Sequence, residues 1–525
     1  MTTGTVTPHR STAAAGRESF WHLVHAEWTK FRTVRGWVIA MIVVILVITA
    51  FVFVATNVSS SCGAVGGGSG GGSACPAPPA GPGGEPVQDA FYFAHQQLTG
   101  NGTITVQMTS LAGQITVGPS QMAPGLQPWS KAGIIIKENT SQGSAYAAMM
   151  TTGSHGVRMQ WDYVNDTPGL TGSVSAASPR WLRLVRDGDM ITGYDSADGT
   201  HWTLVGTATL PGLTSTVQAG LFAAAPSNGN TATATGVFRH IGLSWPATRW
   251  TGTNVGGSGA NGVAVPGKLR QSAGAITVTG SGDITPLAGN GAVLSVQRAL
   301  AGTPIGLIPL IVVGAMFITA EYRRGLIRVS LTASPRRGRL LAAKAVVIGA
   351  VSFVTGMIAA ALAVAVGTRT LARTGVPLWP VPALTLARMV VGTGALLAVA
   401  AMLALAIATV LRRSAATVAA VIVVIFVPYL LVLVPPLRPG PGLARGGFTQ
   451  GGLSLVAREW LLRITPAAGF SVQQVLPRLS QVTGAFYSPN WGYYPLAPWT
   501  GFAVECAWAA AALALAFYLL HRRDA

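Results

Sequence analysis

Charge is scarce in this chain. Asp, Glu, Lys and Arg make up only 10% of its 525 residues, where soluble globular proteins carry about 25%. With a mean hydropathy of +0.47, that shortage excludes a cytosolic enzyme as the whole answer. Cysteine is scarcer still. Three cysteines exclude a disulfide scaffold, and no CxxC or Cys/His cluster suggests a zinc site. Cys506 stands alone in an apolar run and reads as a small core residue. Glycine and proline, 65 and 32 residues, leave room for long linkers but fall short of a wholly disordered chain.

Acidic residues are the rarer sign, 16 against 35 basic. The imbalance is uneven. Residues 58–300 hold 11 basic and 10 acidic side chains, while the other 24 basic and 6 acidic ones lie in the parts with long apolar runs. Nucleic-acid binders gather basic residues on one face or along a helix. Here they flank apolar segments, as the positive-inside rule expects of a membrane protein, so no nucleic-acid partner is expected.

Six apolar runs are long enough to span a bilayer: Trp37–Ala55, then Thr303–Ala320, Leu340–Val366, Ala383–Leu411, Ala416–Leu437 and Trp499–Leu520. A cleaved signal peptide is the rival reading of the first run. The preceding tail is long and the run exceeds an ordinary signal core, so an uncleaved helix is expected. Six spans put both termini on one side. Basic clusters before the first run, between the second and third (Arg323, Arg324, Arg328, Arg336, Arg337, Arg339), at Arg412/Arg413 and at Arg522/Arg523 make that side cytoplasmic, in a multi-pass plasma-membrane protein. Pro428 and Pro435-Pro436 predict a kink or an early end in the fifth span. The segment Arg458–Val475 is amphipathic and too short to span twice. It reads as an interfacial or re-entrant pair on the opposite face.

Between the first two spans the character changes. Gly66–Gly72 and Pro76–Gly84 form a linker within residues 58–85. From about Phe91 apolar residues recur with period two. Candidate strands include Gly102–Ser110, Ala132–Glu138, Ala145–Thr151, Gly156–Trp161, Arg180–Arg186, Met190–Asp195, Trp202–Val205, Val217–Ala225 and Ala234–Leu243. Asp187-Gly188 and Asp198-Gly199 are hairpin signals. Short strands at this spacing predict a β-sandwich over 86–245, outside the cell. Residues 246–300 read as a Gly-rich linker with a short strand pair around Ala275–Ile284. The words Trp129-Ser-Lys-Ala-Gly133, Pro179-Arg-Trp-Leu-Arg-Leu184 and Tyr194-Asp-Ser-Ala-Asp-Gly-Thr-His-Trp202 resemble the concanavalin A-like lectin/glucanase sandwich. That family holds hydrolases and pure binders. Retaining glycosidases need two carboxylates about 5 Å apart. The acidic residues here sit mostly in linker and turn words, so binding of a glycan or cell-envelope ligand is expected in place of hydrolysis. Asp187 and Asp189 read as turn residues, not as calcium ligands. Cys62 and Cys75 flank a flexible stretch in an oxidising compartment and are a candidate disulfide.

Gly262 to Leu269 imitates a phosphate-binding loop but lacks the final hydroxyl and the helix such a loop needs. No catalytic, cofactor or metal residue is assigned in this chain. The words His25-Ala-Glu-Trp-Thr-Lys-Phe-Arg-Thr-Val-Arg35 and Glu321-Tyr-Arg-Arg-Gly325, the latter running on to Pro335-Arg-Arg-Gly-Arg339, resemble actinobacterial ABC transporter permeases of the type-2 exporter class. The resemblance implies a membrane subunit that pairs with a second permease copy and with a separate ABC ATPase, which would hold ATP and Mg. It implies an exporter of a hydrophobic or amphipathic substrate. It assigns Glu27, Trp28, Lys30, Arg32 and Arg35 to an interfacial helix in contact with lipid. It assigns Glu321, Tyr322, Arg323, Arg324, Arg328, Pro335, Arg336 and Arg337 to the coupling loop 321–339 facing the ATPase. By helical spacing Phe20, Leu23, Val24 and Phe31 form the apolar side of the first helix, with Glu18, Glu27 and Lys30 opposite. Arg388 and Glu505 are charges within spans, expected either to snorkel or to line the substrate path. A membrane-anchored glycan sensor or adhesin is the alternative, though one helix would anchor it. A secondary transporter is disfavoured by the shortage of membrane carboxylates.

Overall fold

The structure, a computed structural model, describes residues 20–56, 77–117, 121–226, 231–256, 265–272, 274–288, 293–323, 337–373, 377–433, 455–481, 489 and 492–522. Helices α1 (Phe20–Thr33) and α2 (Arg35–Thr56) precede seventeen strands, and the remaining helices follow them. These are α3 (Thr303–Arg323), α4 (Arg337–Arg373), α5 (Ala383–Leu411), α6 (Ser414–Leu433), α7 (Leu455–Ile464) and α8 (Pro498–Arg522). Six of them, α2 to α6 and α8, are long and apolar enough to cross a membrane. Their limits agree with the six apolar runs, because nothing but a helix satisfies its own backbone in lipid. Helix α6 passes through Pro428 and ends at Leu433. Pro435-Pro436 lie outside the described residues.

Helix α5 is the hub. It packs against α3, α4, α6 and α8. Two small residues let α4 and α5 cross closely: a Cβ on Gly356 would stand 2.9 Å from the Gly394 Cα. The Arg458–Val475 segment forms α7 and a fully buried 3-10 stretch, Pro466–Gln473, wedged among α5, α6 and α8. Arg458 is buried and donates to the Val432 carbonyl near the end of α6.

The strands form a sandwich of two antiparallel sheets. One runs β11 (Thr203–Thr209), β10 (Met190–Ser196), β9 (Arg180–Asp187), β3 (Gly102–Thr116), β13 (Ala232–Leu243), β16 (Ala275–Gly280) and β15 (Lys268–Ser272), with β4 (Met122–Pro124) on β3. The other runs β14 (Thr251–Val255), β2 (Phe91–Thr99), β12 (Thr216–Ala224), β5 (Lys131–Lys137), β6 (Tyr146–Thr152), β7 (Val157–Trp161) and β8 (Asn165–Pro168). Between them lie Leu98, Ile104, Val106, Met108, Ile134, Met149, Leu182, Leu184, Phe238 and Val278. The second sheet is covered on its other face too, by Val87 and Ile284 over Phe93, Ile135, Tyr146 and Phe222. Burial on both faces explains why β2 (Phe91–Thr99), β5 (Lys131–Lys137) and β6 (Tyr146–Thr152) read as continuous apolar runs.

Two buried lysines of β5 close the domain. Lys131 pairs with Asp283 at 2.6 Å and Lys137 with Asp89 at 2.8 Å. Tyr163 adds a 2.6 Å hydrogen bond to Asp89. These contacts clip down β1 (Val87–Asp89) and β17 (Ile284–Pro286), which pair with each other. The chain therefore enters and leaves the sandwich at one point, the arrangement that lets a domain be inserted into another.

The expected boundaries need correction here. Residues 246–300 are more than a linker: β14 (Thr251–Val255) pairs with β2, β15 (Lys268–Ser272) with β16, and β16 (Ala275–Gly280) with β13. The sequence words Thr251–Val255 and Lys268–Ser272 are short, polar and mostly exposed, so edge strands leave little periodic signal. Lys268 opens β15, so no helix follows the Gly-rich word before it. Cys62 and Cys75 lie outside the described residues.

A fragment of residues 77–288 should therefore melt cooperatively with a β-type circular dichroism spectrum. One ending at Trp245 loses Ile276 and Val278 from the core, at about 2–4 kcal/mol each. Its midpoint should fall by roughly 10 °C or more, or the fragment should aggregate. Equal melting of the two fragments would contradict this assignment of the strands.

Candidate functional site

Where α1, α3 and α4 meet, four charges share one cluster, with Glu27, Glu321 and Lys344 buried and Lys30 at its exposed edge. Lys344 of α4 donates to Glu27 at 2.7 Å and to Glu321 at 2.8 Å. Lys30 donates to Glu27 at 2.7 Å and to Glu321 at 3.1 Å. Each lysine thus bridges both carboxylates, and the cluster is neutral. Glu27 and Lys344 are 2% and 0% exposed. Partial burial alone would lower the Lys30 pKa, but Glu27 and Glu321 outweigh it and the ammonium is raised. Beside the charges stand three rings from three elements. Phe317 lies 6.0 Å from Phe31 and 5.2 Å from Trp37, with the Lys344 ammonium 4.8 Å over it. A cation over an aromatic face gains without losing its hydrogen bonds.

The cluster corrects the expected face of α1. Glu27 was assigned to the polar side, yet Glu27 and Phe31 are the buried residues of the helix. Their i, i+4 spacing puts them on one face. Trp28 and Arg32 are exposed on α1, whereas Arg35, expected on the same helix, opens α2 instead. At the two ends of the 324–336 segment, Arg412 lies 5.2 Å over the Tyr322 ring and Arg337 donates to the Leu520 carbonyl at 3.0 Å. Arg324, Arg328, Pro335, Arg336 and the side chain of Arg323 lie outside the described residues. Lys344 has no role in the reading of the sequence. Its signal is a lone lysine in an apolar run.

At the sandwich end of the helices, polar residues hold the 3-10 stretch. The Gln473 amide donates to Thr303 of α3 at 3.0 Å and to Thr393 of α5 at 3.1 Å. Gln297, in a second 3-10 stretch (Val296–Leu300), accepts from the Val475 amide at 3.2 Å. Arg388 and Glu505 do not form a pair with each other. Arg388 donates to the Gln474 carbonyl. Glu505 is 2% exposed, so it does not snorkel, and a Cβ on Gly469 would overlap its carboxyl group. Arg388 thus bonds the end of the segment from α5, while Glu505 of α8 only packs against its Gly469. Beyond it, Gln481 donates to the Tyr163 and Asn165 carbonyls of the sandwich, both at 3.2 Å. Leu476, Leu479 and Tyr493 pack with Leu287 and Trp379.

The sandwich turns one sheet face to solvent. Trp181 stacks on His240 there at 5.6 Å, and Arg183 lies 3.8 Å over Trp202. Trp181, Tyr194 and Trp202 are half-buried, not core residues. Asp187 accepts from Asn101 at 2.7 Å and Asp189 from the Gly212 amide at 3.0 Å, so both are engaged in turns.

Lys344→Met should leave two buried carboxylates facing one lysine. Breaking a buried pair in this way costs about 3–5 kcal/mol. Adding Glu27→Gln removes the surplus charge, so the double variant should be more stable than the sum of the single losses by about 1 kcal/mol or more. Thermal unfolding in detergent measures the cycle, and strict additivity would mean the four charges do not act together.

No curated protein matches the chain. Among solved structures, a functionally unknown protein from Saccharomyces cerevisiae covers 30% of this chain and 76% of its own length, at 15% identity and a TM-score of 0.21. Scytalido-glutamic peptidase covers 37% of this chain and 98% of its own, at 9% identity and a TM-score of 0.26. At such scores neither bears on what this chain does. The family described as ABC-2 family transporter protein matches residues 190–525. That stretch holds α3 to α8 and the cluster residues Glu321 and Lys344, and it exceeds half of the sequence, so the chain belongs to the ABC-2 transporter family.

Proposed function

We propose that this chain is the membrane subunit of an ATP-driven exporter, with the 324–336 segment as the contact for a separate ATPase. One observation carries the reading. On the helices that flank the segment, Glu321 and Lys344 are fixed to each other and to α1 by a neutral cluster that is buried except at Lys30. A push on a loop moves helices only if the loop's anchors are stiff, and close-packed interiors transmit displacement instead of absorbing it. The exported molecule is hydrophobic or amphipathic, and a second permease copy completes the pathway. ATP and Mg belong to the partner.

Glycan recognition is the second reading, as a function of the sandwich alone. The half-exposed row of Trp181, Tyr194 and Trp202 on an open sheet favours it. Flat aromatic faces with polar edges suit sugar rings, which are apolar on one side.

The first test is biochemical. Co-purification should bring down an ABC ATPase. Glu321→Gln and the gentler Lys30→Gln should lower its stimulation by the permease several-fold. Glu321 is 8% exposed, so its loss also costs stability, unlike that of an exposed pair worth about 0–1 kcal/mol. Lys30, with a side chain 44% exposed, separates the two effects. Full stimulation in both folded variants would return the cluster to a purely structural role.

The second test is topological. The reading puts the sandwich outside and both termini in the cytoplasm. A reporter active only outside should work when fused near Asn165 and fail in the 324–336 segment. The opposite pattern would invert the transport scheme.

A further inference from the structure

A cavity of about 390 Å³ lies at the sandwich end of the helices. Small-ligand pockets run from about 300 to 1,000 Å³. Its apolar wall comes from three helices: Phe51 of α2, Ile305 of α3, and Phe426 and Leu430 of α6. Ile305 is 38% and Leu430 51% exposed. Both sit on membrane-crossing helices with part of their surface uncovered by protein, so the apolar wall is open to an incoming chain.

The polar groups of the lining are mostly spent on the protein itself. Gln473 holds Thr303 and Thr393, and Gln297 holds the Val475 amide. Arg298 is different. It lines the cavity and is half-buried. Among the described residues its guanidinium donates to no protein group and meets no carboxylate, and the lining contains neither Asp nor Glu. A partly desolvated cation without a counter-charge is costly, and Arg suits carboxylate or phosphate by its planar fork of donors.

We propose that this cavity binds an anionic amphiphile: an alkyl chain along Phe51, Ile305 and Phe426, with a carboxylate or phosphate headgroup on Arg298. The inference deepens the exporter reading, since it names the class of molecule these helices would carry. Binding can be measured without the ATPase. Failure here removes the site and leaves coupling intact, and failure of coupling leaves the site.

The full-length protein in phosphatidylcholine nanodiscs provides the test. Trace photoactivatable phosphatidylglycerol, phosphatidylcholine or fatty acid is added, and labelling of residues 293–305 is read by mass spectrometry. The anionic probes should label several-fold more than phosphatidylcholine. Arg298→Gln should reduce that labelling about tenfold, the loss expected for a charge-assisted hydrogen bond, and Arg298→Lys should keep most of it. Ile305→Trp should reduce it by filling the rim. Labelling by phosphatidylglycerol alone assigns the site to a membrane phospholipid. Labelling by the fatty acid alone assigns it to a single-chain carboxylate. Equal labelling by neutral and anionic lipid, or full labelling in a folded Arg298→Gln protein, overturns the proposal. If Arg298→Gln does not fold, unchanged labelling in Ile305→Trp overturns it.

Discussion

Three buried charges and a fourth at the surface hold the α1 end of this molecule together. Glu27, Lys30, Glu321 and Lys344 come from three helices, and none has a full set of partners without the others. Desolvation of ions is so costly that such a cluster is stable only when nearly every donor and acceptor is used. It therefore fixes more than it stabilises. Sliding α1, α3 or α4 by one turn would strand a charge in an apolar interior, whereas a purely apolar contact would tolerate a shifted register. The Phe31, Trp37 and Phe317 rings add shape to that constraint, since each comes from a different helix.

The sandwich end follows the opposite strategy. The buried stretch Pro466–Gln473 is held by single contacts from neutral groups, chiefly Gln473 and Ser471, whose hydroxyl donates to the Pro498 carbonyl at 3.1 Å, with the Arg388 guanidinium on the Gln474 carbonyl just past its end. A Cβ on Gly501 would overlap the Ser471 side chain and the Ala468 carbonyl, so α8 lies directly against this stretch. Bonds of this kind exchange partners more readily than a four-ion cluster does. Stiffness is concentrated at one end of the bundle and adjustable contacts at the other. The sandwich rests on the adjustable end, through Gln481 and the Leu476–Tyr493 contacts.

The spans were legible because a bilayer permits only one solution for a long apolar run, and α2, α3 and α8 begin and end within a few residues of their expected limits. Strands with one wet face were legible by alternation, as in Arg180–Asp187. Edge strands such as Lys268–Ser272 were not, because their apolar burial is slight and their pairing is supplied by a neighbour. The site was legible only in part. Glu321 was read as a loop-orienting charge, but nothing local marks Glu27 as buried: its partner Lys344 is 317 residues away. Helical spacing alone placed it on the wet side, since a carboxylate counts as polar until its counter-ion is known. Gln297 and Gln473 were equally silent. A buried amide is distinguished from an exposed one by its tertiary partners alone.

One element joins the two ends. Helix α4 carries Lys344 near its start, and Gly367 lies 23 residues further on, roughly 35 Å along the axis. There a Cβ on Gly367 would overlap the Ala299 methyl, so α4 touches the 3-10 stretch that carries Arg298 with only that methyl between the backbones. A helix has little freedom to shorten or bend without breaking its hydrogen-bond ladder. Movement imposed at Lys344 would therefore reach Ala299 as movement of a rod, unless the α4–α5 crossing at Gly356 and Gly394 acts as a pivot. A pivot there reverses the direction of the motion but not its arrival. In either case that motion arrives beside Arg298 and Leu300, which flank Ala299 and line the cavity.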